Sequence, residues 1–381
     1  MATEARIRQS ELGFVEKLRS IHWPLVGALL LLGMLGYLVL YSAGGGSHSP
    51  WAARHGVRLA FGACIMLAVA LVNIRVWFRW AFPLYALAFL MLLGVEVVGE
   101  LSKGAQRWID LGVVQLQPSE LMKVGLVLCL ARYFHSAYLD EVKRPLFLVV
   151  PLVCIALPAV LVLKQPDLGT SIMLLACGGT LLFLAGVPLW QFGLAIGGVA
   201  AALPLAWAGL HDYQKQRVLT FMDPEADPLG AGYHIIQSKI ALGSGGFWGK
   251  GYLQGSQAQL SFLPEKQTDF AFTMLAEETG FVGAVVVLLL CLAVVGMTLL
   301  VALRCTHQFG RLLAMGIAFN FFLYVLINVA MVTGLIPVVG VPLPMISYGG
   351  TAMMTTLLSF GLVLSVDVHH TTAIPRFPTD L

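Results

Sequence analysis

Long apolar runs alternate with short polar connections along the whole chain. Ten runs are candidate membrane helices, since about 20 apolar residues cross the roughly 30 Å of bilayer hydrocarbon. The fourth and tenth runs are short for a span, and the eighth is long enough to continue outside the bilayer. The pattern predicts an all-α polytopic membrane protein with ten transmembrane helices and a large loop between helices 7 and 8. The runs cover residues 23–42, 57–72, 80–98, 121–134, 146–163, 168–187, 191–210, 270–302, 312–332 and 351–365.

Composition excludes a water-soluble domain. Of the 381 residues, 58% are apolar and 11% are charged, a balance typical of membrane-spanning chains. The net charge of +3 is small and scattered, so no nucleic-acid partner is expected. The six cysteines fall in the predicted spans or at the cytoplasmic end of one, which predicts neither a disulfide nor a zinc site.

Basic residues in the short connections set the orientation, because cytoplasmic loops carry an excess of Lys and Arg. With ten spans, both termini are predicted to be cytoplasmic, as a segment over 1–22 and a tail over 368–381. The ten-helix domain covers 23–367, and its extracytoplasmic loop covers 211–268. A long first run after a charged leader predicts a retained anchor rather than a cleaved signal peptide. The cytoplasmic basic residues are Arg6, Arg8, Lys17, Arg19, Arg75, Arg79, Lys143, Arg144, Arg304, Arg311 and Arg376.

The outer loop is far longer than the roughly 15 residues of ordinary connections, so it is expected to be functional. Within it, Ile235, Ile236 and Ile240 recur at helical spacing. This spacing predicts a short amphipathic helix on the membrane surface, with Gln237 and Lys239 on its other faces.

A Gly-rich stretch over 243–251 follows that helix. It lacks the first glycine and the final hydroxyl residue of a phosphate-binding P-loop. Two interpretations stay open. The stretch is either a turn that permits close backbone approach, or a set of backbone amides that contact a lipid phosphate.

Charged residues at the ends of the spans are the candidate chemistry. Asp269 ends the outer loop at the mouth of the eighth span, where an ionised carboxylate is costly and therefore a candidate functional group. The alternative is a helix N-cap. Glu120 and Lys123, three residues apart, share one helix face, while Lys164 and Asp167 bracket the turn before the sixth span. For both pairs a structural ion pair is the alternative to a functional role.

Several ordered motifs resemble those of the SEDS family (shape, elongation, division and sporulation) of bacterial cell-wall polymerases. They are QRWI at 106–109, QPSELMK at 117–123, QPDLGT at 165–170, GYHIIQS at 232–238, LPEKQTDF at 263–270 and PLPMISYGG at 342–350. The match extends over about 23–367, nearly the whole chain. The wording of 227–241 and 338–344 is closer to the elongation member of the family than to the division member. Thr351 departs from the usual Ser and Thr279 from a common Leu, and neither is a proposed catalytic residue.

The resemblance implies a peptidoglycan glycosyltransferase of the bacterial cytoplasmic (inner) membrane, which polymerises lipid II into glycan strands at the outer face during cell elongation. By the resemblance Asp269 is the essential residue, and we assign it the role of general base for the acceptor hydroxyl. Pyrophosphate is a good leaving group, so the second carboxylic acid of a glycosidase is dispensable. Glu277 lies about 12 Å further along a helix and is poorly placed for that role.

Positive groups are needed to receive the charge of the departing pyrophosphate. Glu120 and Lys123 join Asp269 as catalytic candidates, with Glu120 orienting Lys123. No cofactor is evident, and a divalent cation stays an open alternative for sharing this charge because no ligand cluster demonstrates it. The candidate substrate-binding residues are Arg54, Arg107, Trp108, Lys239, Gln237 and Ser347.

Two other functions fit the same pattern. A lipid II flippase would also need many spans and intramembrane charges, and a non-catalytic scaffold would not need Asp269. The chain has no Ser-x-x-Lys motif for peptide cross-linking. The resemblance therefore implies a class B penicillin-binding protein as partner, beside lipid II, the nascent glycan strand and other membrane proteins of the elongation complex.

Overall fold

The computed structural model describes residues 13–98, 100–102, 105–110, 115–209, 215, 231–259 and 265–376. Much of the predicted outer loop therefore lies outside the described residues. The described helices are α1 Phe14–Ser20, α2 Trp23–Ala43, α3 Ala52–Leu71, α4 Ile74–Val98, α5 Pro118–Ser136, α6 Leu139–Val142, α7 Pro145–Lys164, α8 Leu168–Leu184, α9 Leu189–Gly209, α10 Ala231–Ser244, α11 Ser256–Gln259, α12 Ala271–Arg304, α13 Gln308–Val332 and α14 Gly350–Val368. The strands are β1 Glu100–Ser102, β2 Ala105–Asp110 and β3 Gln115–Leu116.

Seven helices of the described chain are long and apolar enough to cross a membrane: α2, α3, α4, α7, α12, α13 and α14. Two more, α8 and the first part of α9, are apolar but shorter. The prediction of a helical multi-pass membrane protein is confirmed at this level. A count of ten spans stays a prediction.

Two of the observed helices begin well before the apolar runs predict. Helix α3 begins at Ala52 rather than at residue 57, and α4 begins at Ile74 rather than at residue 80. The early residues include Arg54 and Arg75, whose charges end an apolar run without ending a helix. Long basic side chains can reach polar surroundings while their stems stay on the helix surface.

A small antiparallel sheet between α4 and α5 corrects the all-α prediction. Its strand order is β1-β2-β3; β2 pairs with β1 on one side and with β3 on the other. Strands this short leave almost no alternating signal, so the hydropathy pattern identified only a polar connection. The sheet carries Arg107 and Trp108 on β2.

The burial of the helices distinguishes the centre of the bundle from its periphery. In the most apolar stretch of α14, 83% of the residues are buried, against 28% in α3 and in α12. Helices α14 and α3 nevertheless approach closely, because Gly62 and Gly361 face the partner helix. A Cβ at Gly62 would lie 2.4 Å from Leu357 Cδ1, and one at Gly361 would lie 2.8 Å from the Met66 carbonyl oxygen. Small residues permit this kind of contact between membrane helices.

Helix α12 is interrupted at Gly280, whose φ of 70° and ψ of −168° are not helical. The Gly-rich stretch inserts there. The Phe281 and Val282 amides donate to the carbonyls of Gly246 (3.0 Å) and Phe247 (3.2 Å) instead of to α12. In return, the Glu277 and Glu278 carbonyls accept from the amides of residues 250 and 251, at 3.1 and 3.0 Å.

These contacts decide between the two interpretations of the Gly-rich stretch. The amides of Lys250 and Gly251 are used within the protein. A Cβ at Gly249, where φ is 83°, would lie 2.1 Å from the Glu278 carbonyl oxygen. The stretch is therefore a turn that permits close backbone approach.

Helix α10 confirms the predicted helix but not its predicted apolar face. Ile235, Ser238 and Ala241 are buried, while Ile240 is 46% exposed. The Ser238 hydroxyl donates to the Val332 carbonyl at 2.8 Å and lies 2.9 Å from the Thr273 hydroxyl. The buried side of α10 packs against α12 and α13. It carries a serine and an alanine in addition to Ile235, so the spacing of the isoleucines alone did not identify it.

Contacts between residues far apart in sequence define two ends of the bundle. At one end, the Thr351 hydroxyl donates to the Gln115 carbonyl at 2.8 Å, and the Tyr348 amide donates to the Gln267 carbonyl at 2.7 Å. We call this the site end. At the opposite end, the Arg75 guanidinium donates to the Ala373 carbonyl at 3.1 Å.

Candidate functional site

Asp269 lies at the site end, half-buried, just before α12. The N-cap position of α12 is assigned to Phe270, one residue after Asp269. The backbone of Asp269 is fixed by α13, because Asn328 Nδ2 donates to its carbonyl oxygen at 3.0 Å. Asn328 is fully buried and also donates to the Val341 carbonyl at 2.8 Å. One amide group therefore ties the aspartate segment to the loop between α13 and α14.

That loop, residues 333–349, forms one wall around Asp269. Gly340 has a φ of 72°, a conformation that favours glycine. A Cβ at Gly340 would lie 3.6 Å from Asp269 Oδ2. The carboxylate therefore lies against the backbone of a loop that the sequence marks by its Pro and Gly content.

A second charged group lies inside the bundle, in the first turns of α5. Lys123 Nζ donates to Glu120 Oε1 at 2.7 Å. The Tyr324 hydroxyl of α13 accepts from Lys123 and donates to Glu120 Oε2. Thr355 of α14 donates to the same carboxylate oxygen at 3.3 Å. We call these four residues the charged network.

Burial makes the charged network a strong constraint on the bundle. Lys123 is 1% exposed, Glu120 is 5% exposed and Tyr324 is 3% exposed. Taking charges out of water is costly unless each is paired and hydrogen-bonded, and both Glu120 oxygens have partners here. The ion pair expected between Glu120 and Lys123 is present, and their catalytic role stays a prediction.

The three other predicted phosphate-binding cations occupy different settings at the site end. Arg54 is exposed in the first turn of α3. Arg107 Nε donates to the Gln165 carbonyl at 2.9 Å, and its Nη2 donates to the Pro166 carbonyl. Lys239 of α10 is exposed, and its stem packs over Gly334, where a Cβ would lie 2.3 Å from Lys239 Cε. Arg107 thus joins the sheet to the turn between α7 and α8.

The remaining substrate-binding candidates differ in exposure. Trp108 is half-buried on β2, and Gln237 is half-buried on α10. Ser347 is 2% exposed, and its hydroxyl oxygen accepts from the Leu343 amide at 2.9 Å. Substrate contacts by these three side chains stay predictions.

The suggested ion pair between Lys164 and Asp167 is not formed. Asp167 is the N-cap of α8, and its carboxylate accepts from the Thr170 amide at 3.2 Å and hydroxyl at 3.0 Å. Gln117 Nε2 lies 3.4 Å from the second oxygen. Lys164 is exposed at the end of α7. A helix cap outcompetes the ion pair because the first amides of α8 require acceptors.

Glu277 is a structural carboxylate. It is fully buried, and its Oε1 accepts from Lys250 Nζ at 2.7 Å and from the Gln257 amide at 3.0 Å. This ion pair holds the Gly-rich turn against α12. Among the described residues, no three His, Cys, Asp or Glu side chains form a group that could hold a metal ion.

Sequence reasoning missed several residues of the site end. Tyr324 and Asn328 are polar residues within the apolar run of α13, and a buried hydroxyl or amide there signals a partner in another helix. Lys266 is half-buried in the segment before Asp269, and burial lowers the pKa of its ammonium group. Arg58 was not a candidate, and Tyr348 had no predicted role although it lies in the motif at 342–350. No spacing rule connects α3 with residue 348.

The fold and the site define a class: a multi-pass helical membrane protein with a charged network in its core and a half-buried aspartate at one end. The family model described as "Cell cycle protein", which covers FtsW, RodA and SpoVE, matches residues 22–372. The chain therefore belongs to the SEDS family of FtsW and RodA proteins, as its motifs predict.

Known proteins similar to this chain agree with that assignment. The peptidoglycan glycosyltransferase MrdB of Escherichia coli K12 is 46% identical over 352 residues, which are 92% of this chain and 94% of MrdB. A chain of a solved peptidoglycan synthase complex, in which polymerization and crosslinking are coordinated, has 32% identity and a TM-score of 0.79, over 91% of this chain and 97% of that one. The rod shape determining protein RodA of Thermus thermophilus has 29% identity and a TM-score of 0.70, over 92% and 97%.

Proposed function

We propose that this chain is a peptidoglycan glycosyltransferase that polymerises lipid II into glycan strands at the outer face of the cytoplasmic membrane during cell elongation. The observation that carries the proposal is the setting of Asp269. It is the half-buried carboxylate of the family motif, fixed by Asn328 and facing Gly340 at one end of a membrane bundle. The similarity to MrdB along most of both chains supports the same reaction.

In the proposed reaction Asp269 removes the proton from the acceptor sugar hydroxyl. The hydroxyl oxygen forms a bond to the anomeric carbon of the donor, and the bond from that carbon to the pyrophosphate breaks. Undecaprenyl pyrophosphate leaves with the bonding electron pair, and its charge is received by nearby cations. Arg54, Arg107, Lys123 and Lys239 are the proposed cations, and a divalent ion sharing this charge would make the reaction sensitive to a chelator.

The charged network supports a role for Glu120 in orienting Lys123. The ammonium group is held by Glu120 Oε1 and the Tyr324 hydroxyl, so its position is set by α5 and α13 together. Its burial means that a phosphate reaches Lys123 only when the site end opens around it.

The proposed topology has ten spans, both termini in the cytoplasm and the loop 211–268 outside. In support, basic residues cluster at the end opposite Asp269, where Arg132 donates to the Arg79 carbonyl at 2.7 Å and Ser136 donates to the Arg376 carbonyl at 2.9 Å. The proposed partner is a class B penicillin-binding protein, together with other membrane proteins of the elongation complex. A relative of this chain occurs in a peptidoglycan synthase complex, which supports such an assembly.

The test is polymerisation of labelled lipid II by purified protein carrying Asp269→Asn. The amide is nearly isosteric but cannot act as a base, so we expect glycan polymer to fall at least about a hundredfold, the lower range for general-base catalysis. The matched control is Asp140→Asn, because Asp140 is 90% exposed at the opposite end. Normal polymer length and rate from the Asp269 variant, with expression equal to wild type, would remove Asp269 from the mechanism.

A lipid II flippase is the second candidate, and the observation that favours it is the buried charged network, since intramembrane charges mark transport paths. The two functions separate in proteoliposomes. A polymerase forms glycan from lipid II already present on the outer leaflet, whereas a flippase only moves lipid II between leaflets. Transport without polymer formation by purified wild-type protein would favour the flippase.

A further inference from the structure

Arg58 is held on an aromatic ring at the site end. It lies in the second turn of α3 and is half-buried. Its Cζ is 5.0 Å from the centroid of the Tyr348 ring, within the range of a cation–π contact. Tyr348 belongs to the loop 333–349, which also forms the wall around Asp269. The Arg58 side chain of α3 therefore contacts the loop that adjoins Asp269.

Gly350 fixes the guanidinium from a second direction. A Cβ at Gly350 would lie 2.8 Å from both Cζ and Nη1 of Arg58. Such a distance is too short for a real contact, so the guanidinium occupies the space that any side chain at this position would need. Gly350 is the first residue of α14. The ring and the glycine together restrict the position of the guanidinium.

No carboxylate among the described residues forms an ion pair with Arg58. The ion pairs among the described residues are Lys123 with Glu120, Lys143 with Asp140, and Lys250 with Glu277; Arg58 takes part in none of them. The start of α14 adds positive potential from its backbone amides. A partly desolvated cation with no described carboxylate partner is a candidate site for a bound anion, because an opposite charge nearby favours the charged form.

Arg54 supplies a second positive group beside the first. It lies four residues before Arg58 on the same helix, so the two side chains share one face of α3. Arg54 is exposed while Arg58 is half-buried. The pair therefore offers one anchored guanidinium and one that can close over a bound anion.

We propose that Arg58, positioned by Tyr348 and Gly350, binds a phosphate group carried by a lipid. A planar guanidinium suits bidentate contact with phosphate oxygens, and its position at the end of a membrane bundle suits a lipid-linked group. The Tyr348 amide donates to the carbonyl of Gln267, two residues before Asp269, at 2.7 Å. The site thus adjoins the proposed base, and the inference rests on the proposed glycosyltransferase function.

The experiment measures the affinity of the full chain, in vesicles of neutral phosphatidylcholine, for farnesyl pyrophosphate as the probe. Losing one charge-assisted contact predicts an affinity about tenfold weaker for Arg58→Gln, with partial recovery in Arg58→Lys. Tyr348→Leu removes the ring and should weaken binding, whereas Tyr348→Phe should restore it. Arg75→Gln at the opposite end is the matched control, since Arg75 donates to the Ala373 carbonyl.

Adding phosphatidylglycerol to the vesicles distinguishes the two sources of the phosphate. If the anion is the substrate's pyrophosphate, Arg58→Gln weakens probe binding and raises the KM for lipid II while kcat changes little. If the anion is a lipid headgroup, the wild type requires phosphatidylglycerol for full activity. The activity of Arg58→Gln then no longer rises when phosphatidylglycerol is added. Folded Arg58→Gln and Arg58→Lys proteins that match wild type in both assays would overturn the site.

The same measurements separate this inference from the proposed function. Wild-type protein that binds the probe through Arg58 but forms no glycan would leave the phosphate site standing and refute the polymerase. If the wild-type protein forms glycan, and Arg58→Gln leaves both the KM for lipid II and the probe affinity unchanged, the polymerase stands and the phosphate site is refuted. Melting temperatures of all variants identify any that fail to fold. Where Arg58→Gln or Tyr348→Leu does not fold, the conservative variants Arg58→Lys and Tyr348→Phe test the phosphate site instead.

Discussion

Single side chains at the site end combine structural and chemical demands. The Glu120 carboxylate accepts from Lys123, Tyr324 and Thr355, which come from three helices. Removing one partner from a buried pair leaves an uncompensated charge, at a cost of about 3–5 kcal/mol. Removing both charges together avoids that cost. The two kinds of substitution therefore separate a structural role from a catalytic one.

We expect Glu120→Gln to lower both the free energy of unfolding and the polymerisation rate. The double variant Glu120→Gln with Lys123→Met removes both charges and should recover most of the lost stability. If the pair acts in catalysis, this double variant stays inactive although it is folded. The measurements are thermal unfolding in detergent and lipid II turnover per folded molecule. A stable double variant with full activity would limit the pair to a structural role.

The sequence identified some residues of the site and missed others for a physical reason. Asp269, Glu120 and Lys123 stand out because charge is rare in an apolar chain and costly near lipid. Tyr324, Asn328 and the arginine on the Tyr348 ring do not stand out in that way. Their significance lies in contacts between helices far apart in sequence, which no local pattern records.

Among the elements, α12 shows how a glycine decides a local fold. Its interruption at Gly280 exposes two amides and two carbonyls, and the Gly-rich turn satisfies all four. An apolar run of more than 30 residues gave no indication of this break. An apolar run indicates only that a segment can lie in lipid. The break depends on the positive φ of Gly280 and on contacts with a turn more than 25 residues earlier in the chain.

We predict that Gly280→Ala destabilises the protein by at least about 2 kcal/mol, since the residue has a φ of 70° and such strained conformations cost about 1–3 kcal/mol. A Cβ there would also lie 2.3 Å from the Gly249 amide nitrogen. Gly296→Ala in the same helix is the matched control, because no atom lies within 4 Å of a Cβ at that position. Helix propensity makes that control neutral or stabilising by up to about 1 kcal/mol. Equal melting temperatures for the two variants would contradict the prediction.

At the scale of the whole molecule, the two ends of the bundle have different chemistry. The site end holds Asp269, Arg58 and the small sheet, whereas the opposite end holds arginines that bond to backbone carbonyls, as Arg75 does. A polymerase of flipped lipid II needs the site end at the outer face of the cytoplasmic membrane. The orientation of the bundle therefore decides whether the proposed mechanism is possible.

Single cysteines in a background without the six native ones test this orientation. Exposed positions at the site end, Ser47 and Ser256, should react with a membrane-impermeant maleimide in intact cells whose outer barrier has been opened. Lys143→Cys, at an exposed position of the opposite end, should react only after lysis. Ser347 is unsuitable as a reporter because it is 2% exposed. The reverse labelling pattern would place Asp269 in the cytoplasm and refute an outer-face polymerase.

The sequence by itself determined the class, the approximate positions of the apolar helices, the family and the catalytic candidate Asp269. Hydrophobic length and the rarity of charge are properties of one segment at a time, so one chain suffices to read them. Tertiary structure alone decided that the Gly-rich stretch completes α12, that Asp167 caps α8 and that Arg58 lies on Tyr348. These outcomes depend on which distant backbone groups need partners and on where two helices approach closely, and packing of the whole bundle sets both.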